Sequence, residues 1–235
     1  YLDPGNVATN LTAGTHYGYL LLWVLVAANL IAWLVQYLAA KLGLASNKSL
    51  SRIMGERITS PFGRFLYWLQ AQLVAIATDL AELIGGAVAL NLLFGWPLLA
   101  GCLATAVVST GLLYLKARGG AKTFEYLIFG LIVMTSIGFI SAISAWTPQA
   151  GEFLTGLTPR LTNTESAVIA LGILGATIMP HAVYVHSALS RDRLGVISPK
   201  SNNQKLLRII KWDVSLAMFI AGTVNIALLI LGAVI

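Results

Sequence analysis

Apolar residues in this chain run on for about twenty positions at a time, then stop at short polar segments. A helix rises about 1.5 Å per residue, so runs of this length match the roughly 30 Å of hydrocarbon in a bilayer. The pattern predicts spans at Tyr17 to Leu42, Leu66 to Phe94, Pro97 to Leu115, Phe124 to Trp146, Ser166 to Leu189, and Trp212 to the end. Asp3-Pro4-Gly5-Asn6 followed by Val7 to Gly14 is too short to cross, and it is predicted to be the second half of a helix whose first half precedes residue 1. The chain also stops inside an apolar run. It is therefore expected to be one incomplete transmembrane domain, 1–235, running from the second half of a first span through a seventh.

Composition turns this pattern into a fold class. Of 235 residues, 57% are hydrophobic and only 10% charged, with a mean hydropathy of +0.81, where soluble proteins carry about 25% charge. An all-α integral membrane protein is predicted. The net charge of +6 does not indicate a nucleic-acid partner, because the basic residues sit between apolar runs. Segments 41–64, 116–122 and 191–211 hold 14 of the 15 lysines and arginines and are alternate loops, so they are predicted to be cytoplasmic, in a plasma membrane. That orientation leaves the sequon at Asn47 on the unglycosylated side. Trp96, Trp146 and Trp212 fall at predicted interfaces, and Cys102, the lone cysteine, is read as a packing residue.

Three acidic residues fall where lipid should be: Asp3, Asp79 and Glu82. Each costs at least about 2.5 kcal/mol at bilayer depth unless it finds a partner, a proton or water. Asp3-Pro4-Gly5 marks a helix interruption, and Gly175 to His181 marks another, because Pro180 cannot donate to the carbonyl of Ala176. Two broken helices, one opening each of two sets of spans, point to an inverted-repeat transporter with repeats 1–146 and 166–235 and a midplane site where the breaks meet. Asp3 and Asn6 offer hard oxygens, Ala176 a carbonyl and Met179 a thioether. This mixed donor set suits a divalent transition metal better than Mg²⁺ or Ca²⁺. Asp79 and Glu82, three apart on one helix face, suit a proton relay, to which His181 and His186 could contribute.

Asp3-Pro4-Gly5-Asn6, Thr78-Asp79-Leu80-Ala81-Glu82 and Met179-Pro180-His181, in this order and at this separation, resemble the natural resistance-associated macrophage protein (Nramp) family of divalent metal transporters. The resemblance implies a LeuT-type fold and a transporter rather than an enzyme. Its substrates would be Mn²⁺ or Fe²⁺, with Cd²⁺, Co²⁺ and Zn²⁺ as further candidates, moved together with protons and without a resident cofactor. It places the metal ligands at Asp3, Asn6, the Ala176 carbonyl and Met179, and a proton route at Asp3, Asp79, Glu82 and His181. An intramembrane zinc protease is excluded, because Ala182 follows His181 where His-Glu-x-x-His needs glutamate. From the broken helices alone, a sodium-coupled amino-acid transporter of the same fold is the alternative.

Overall fold

The computed structural model describes residues 3–119, 121–144, 150–194 and 203–234. Among them the chain forms ten helices and no strand: α1 (Pro4–Tyr17), α2 (Leu22–Ser46), α3 (Leu50–Arg57), α4 (Pro61–Phe94), α5 (Leu98–Gly119), α6 (Ala121–Ser144), α7 (Ala150–Gly156), α8 (Thr164–Thr177), α9 (Pro180–Leu194) and α10 (Asn203–Val234). α2, α4, α5, the α8–α9 pair and α10 are each long and apolar enough to cross a membrane. α6 occupies the fourth predicted span. Trp146, which closes that span and the first predicted repeat, and Lys200 lie outside the described residues.

The predicted boundaries shift where polar residues are helical. α4 starts five residues before Leu66, since Ser60 caps it through Gly63 N and Pro61 takes the first helical position. α10 starts nine residues before Trp212, because Gln204 to Lys211 are good helix formers that a hydropathy pattern cannot see. α3 and α7 lie inside segments read as loops. The polar turn of α3 is tied down at both ends. Leu50 N donates to Ser187 Oγ at 2.9 Å, and Glu56 is held by Lys48 and by Arg52 Nε at 3.1 Å, which keeps its carboxyl below the ordinary range. The run beginning at Tyr17 is split: α1 ends there, and α2 begins at Leu22 after a turn at 18–21.

α1 has 14 residues, about 21 Å, and cannot span. It survives at depth because protein surrounds it. It packs on α10 and α8 and touches α4. The α1–α10 contact is backbone against backbone: a side chain at Gly14 would collide with the Leu229 carbonyl, and one at Gly232 with the Leu11 carbonyl. Small residues that admit such approach drive association where lipid is as apolar as leucine. Asn10 Nδ2 donates to the fully buried Asn225 Oδ1 at 3.2 Å across the same contact. Leu21, Leu22, Leu25, Ile173 and Leu229, all at 0% exposure, fill the space between α1, α2, α8 and α10.

Candidate metal site

The start of α1 meets the break between α8 and α9. Asp3 is extended (φ −118°, ψ 162°) and caps α1, its Oδ1 accepting from Asn6 N at 3.0 Å. Pro4 at the first helical position costs no hydrogen bond there and fixes the turn. On the other side α8 ends at Thr177, Ile178 and Met179 are non-helical, and Pro180 opens α9. Pro180 has no N–H for the Ala176 carbonyl, which turns instead to α1 and accepts from Asn6 Nδ2 at 3.0 Å. Asn6 Nδ2 also donates to Asp3 Oδ2 at 2.6 Å. The carboxylate that caps α1 and the carbonyl freed at the α8–α9 break are thus both satisfied by the same amide nitrogen.

That arrangement is chemically telling. Two oxygen acceptors, one charged, converge on a single point now filled by the hydrogens of Asn6 Nδ2, a position of positive charge. A cation placed there would meet the same two oxygens. The Asn6 amide would then turn so that its oxygen joins them. Asn6 Oδ1 now accepts from Thr177 Oγ1 at 3.2 Å, and a hydroxyl can serve either orientation because it both donates and accepts. Asn6 and Thr177 are fully buried. Met179 lies in the break, 8% exposed, three residues after Ala176. Gly5 permits the close approach: its added Cβ would stand 2.9 Å from Asp3 Oδ1 and 3.9 Å from Ala176 Cβ.

The residues expected to form a proton route are distributed differently. Asp79 and Glu82 share a face of α4, as their spacing predicts, and line a cavity of about 520 Å³ with Thr105, Ser109 and Thr110 of α5. That cavity lies on the side of α4 next to α5, and the α4 groups that reach the breaks are others. Pro4 seats against Gly85, and Thr78 Oγ1 lies 3.4 Å from His181 Nδ1. The two histidines part company. Five helical residues turn the chain by about 500°, leaving them some 140° apart around α9. His186 Nδ1 pairs with Gln36 Oε1 of α2 at 2.5 Å and lines a different cavity, about 310 Å³, with Asp213 of α10.

Thr177, Thr78, Gln36 and Asp213 were not singled out by sequence. Thr177 carried a signal, a hydroxyl directly before the break. Asp213 stands at the start of the span predicted from Trp212, whereas in the structure it lies ten residues inside α10.

The whole chain, residues 1–235, matches the model of the family described as natural resistance-associated macrophage protein-like. It is 51% identical over 233 residues to the divalent metal cation transporter MntH of Mycobacterium tuberculosis, covering 99% of this chain and 54% of that protein. With MntH of Bacillus subtilis it shares 43% identity, covering 99% and 54%. Among solved structures it superposes on the manganese transporter of Eremococcus coleocola with a TM-score of 0.86 and 34% identity, covering all of this chain and 49% of that one. The chain spans about half the length of these relatives.

Proposed function

This chain belongs to the Nramp family, whose all-helical LeuT-like fold it shares, and on that premise we propose that it forms the metal-binding half of a secondary transporter. The transporter imports Mn²⁺ or Fe²⁺ together with protons by alternating access. The observation that carries the reading is the convergence of the Asp3 carboxylate and the Ala176 carbonyl on one Asn6 amide, at the meeting of two helix breaks. Asp3, Asn6, the Ala176 carbonyl and Met179 hold the dehydrating ion. The thioether favours transition metals over Ca²⁺ and Mg²⁺, which gain little from sulfur.

Asp79, Glu82 and His181 carry the proton on the α4 side, so proton and metal travel on separate tracks that touch at Asp3 and through the Thr78–His181 contact. His186, paired with Gln36 and lining a separate cavity with Asp213, stands apart from that route. The basic loops face the cytoplasm of a plasma membrane, and a proton gradient directed toward that face makes the movement an uptake. Proteoliposomes containing the full-length protein test the proposal: an inward proton gradient should drive Mn²⁺ accumulation, and Asp3→Asn should abolish it. Near-normal uptake by the variant, or accumulation of amino acids in place of metal, would overturn it.

A further inference from the structure

α2 and α10 run side by side, and along their outer seam lie two cavities that meet at Ser215. The first, about 510 Å³, is lined by Tyr37, Arg208, Lys211, Trp212 and Ser215 together with Leu207. The second, about 460 Å³, continues the seam between Val26, Leu30 and Trp33 of α2 and Met218, Phe219 and Ile226 of α10. Among the described residues no acidic side chain lines either one. Asp213, between Lys211 and Ser215 in sequence, faces the other way, into the cavity of His186.

The lining positions form one stripe on each helix. On α10 the stripe runs through 208, 211, 215, 218, 222 and 226, flanked by 207, 212, 219 and 223, and on α2 through 37, 33, 30 and 26, flanked by 29. Each stripe advances in three- and four-residue steps that hold one face throughout. The chemistry changes along the stripe in one direction, from two cations and a pair of aromatics to walls that are mainly apolar, with Asn29 and Thr223 as their polar members beyond Ser215. From Ser215 to Ile226 is 11 residues, about 16 Å, which is about half of a 30 Å hydrocarbon core. At the junction Trp33 Nε1 donates to Ser215 Oγ at 2.9 Å, and the Trp33 and Tyr37 rings stack with centroids 6.4 Å apart. Trp212 is 72% exposed and Phe219 73%.

We propose that this seam binds an anionic phospholipid of the surrounding bilayer, its headgroup phosphate between Arg208 and Lys211 and one acyl chain along Trp33, Met218, Phe219 and Ile226. A cationic end rimmed by tryptophan and tyrosine is where a helix pair meets a headgroup layer, and basic pockets between spanning helices recognise anionic headgroups. With no carboxylate among its described lining residues, that end offers Arg208 and Lys211 to an anion without a lining counter-charge. A mainly apolar groove one leaflet deep below it fits an acyl chain better than a soluble anion. The inference does not depend on which ion the protein carries.

Native mass spectrometry of the full-length protein, exchanged into detergent with defined lipids, tests it. Phosphatidylglycerol or cardiolipin should stay bound where phosphatidylcholine is lost. Arg208→Gln with Lys211→Gln should cut retention at least tenfold, and Arg191→Gln with Arg193→Gln, a basic pair on α9 outside the seam, should not. Equal retention by the Arg208/Lys211 variant, or equal retention of phosphatidylcholine, overturns the proposal. So does displacement of the lipid by inorganic phosphate at equal concentration, since that would make the site one for a free anion. A wild-type experiment covers the case in which the double variant does not fold: an anionic lipid with a photoreactive acyl chain should crosslink to Met218, Phe219 or Ile226, and crosslinks confined to other helices refute the site.

Discussion

Gly5→Ala separates the site from the fold. The new Cβ would lie 2.9 Å from Asp3 Oδ1, several tenths of an ångström inside ordinary contact, and 3.9 Å from Ala176 Cβ, where it is harmless. Backbone cannot yield there, because Pro4 is wedged against Gly85, so the Asp3 carboxylate must turn. Turning it weakens the cap on Asn6 N, a loss of about 1 kcal/mol. Alanine in place of glycine inside a helix returns about the same amount. Folded stability should therefore hardly change. The proposed metal binding has no such compensation: displacing Asp3, the one charged ligand of the proposed set, should weaken a contact of the kind worth about 1.5–3 kcal/mol, or roughly 10- to 100-fold in affinity. Isothermal calorimetry with Mn²⁺ and a thermal melt on the same preparation read both quantities. Wild-type affinity in a normally folded Gly5→Ala protein would refute the placement of Asp3 as a ligand, and a large loss of thermal stability would refute the compensation.

Met179→Ala should reduce Mn²⁺ transport modestly and Cd²⁺ binding more, and should let Ca²⁺ or Mg²⁺ compete, because the sulfur that those ions use poorly gives way to water. Competition uptake assays decide it, and an unchanged preference for Mn²⁺ over Ca²⁺ returns Met179 to a packing role. Glu82→Gln should leave Mn²⁺ affinity within about threefold, on the order of half a kcal/mol, while flattening the pH dependence of uptake; collapsed affinity with intact proton coupling would reverse the roles assigned to α4 and α1. Gly14→Ala, whose Cβ would stand 2.8 Å from Gly232 C and 2.7 Å from Ala233 N, should cost about 1–3 kcal/mol of stability through overpacking at the α1–α10 contact, seen as a lower melting temperature in detergent.

Much of the site was legible because its chemistry is local. Proline at 180 frees one known carbonyl, that of Ala176, and an aspartate ahead of Pro4 at membrane depth must cap, coordinate or carry a proton. Both statements follow from covalent structure, and the fold joins the two groups through Asn6. What escaped was whatever depended on which face of a helix meets which neighbour. His181 and His186 look alike in sequence, and only the packing of α9 between α4 and α2 sends one to Thr78 and the other to Gln36. The amphipathic α3 and the polar first turns of α10 were invisible to a reading tuned to long apolar runs, since their helices are set by capping, ion pairs and propensity. Asp213 was lost with them.

The central claim is that the two helix breaks form one metal site, and anomalous scattering tests it most directly. Crystals of the full-length protein soaked in Mn²⁺ and measured at the manganese edge should show one strong anomalous peak bounded by the Asp3 carboxylate, the Asn6 amide oxygen, the Ala176 carbonyl and the Met179 sulfur. The Asn6 amide should be turned so that Nδ2 faces Thr177. A principal peak elsewhere, such as beside Asp79 and Glu82 or between His186 and Asp213, or an Asn6 still donating to Asp3 and Ala176 with the ion bound, would contradict the account.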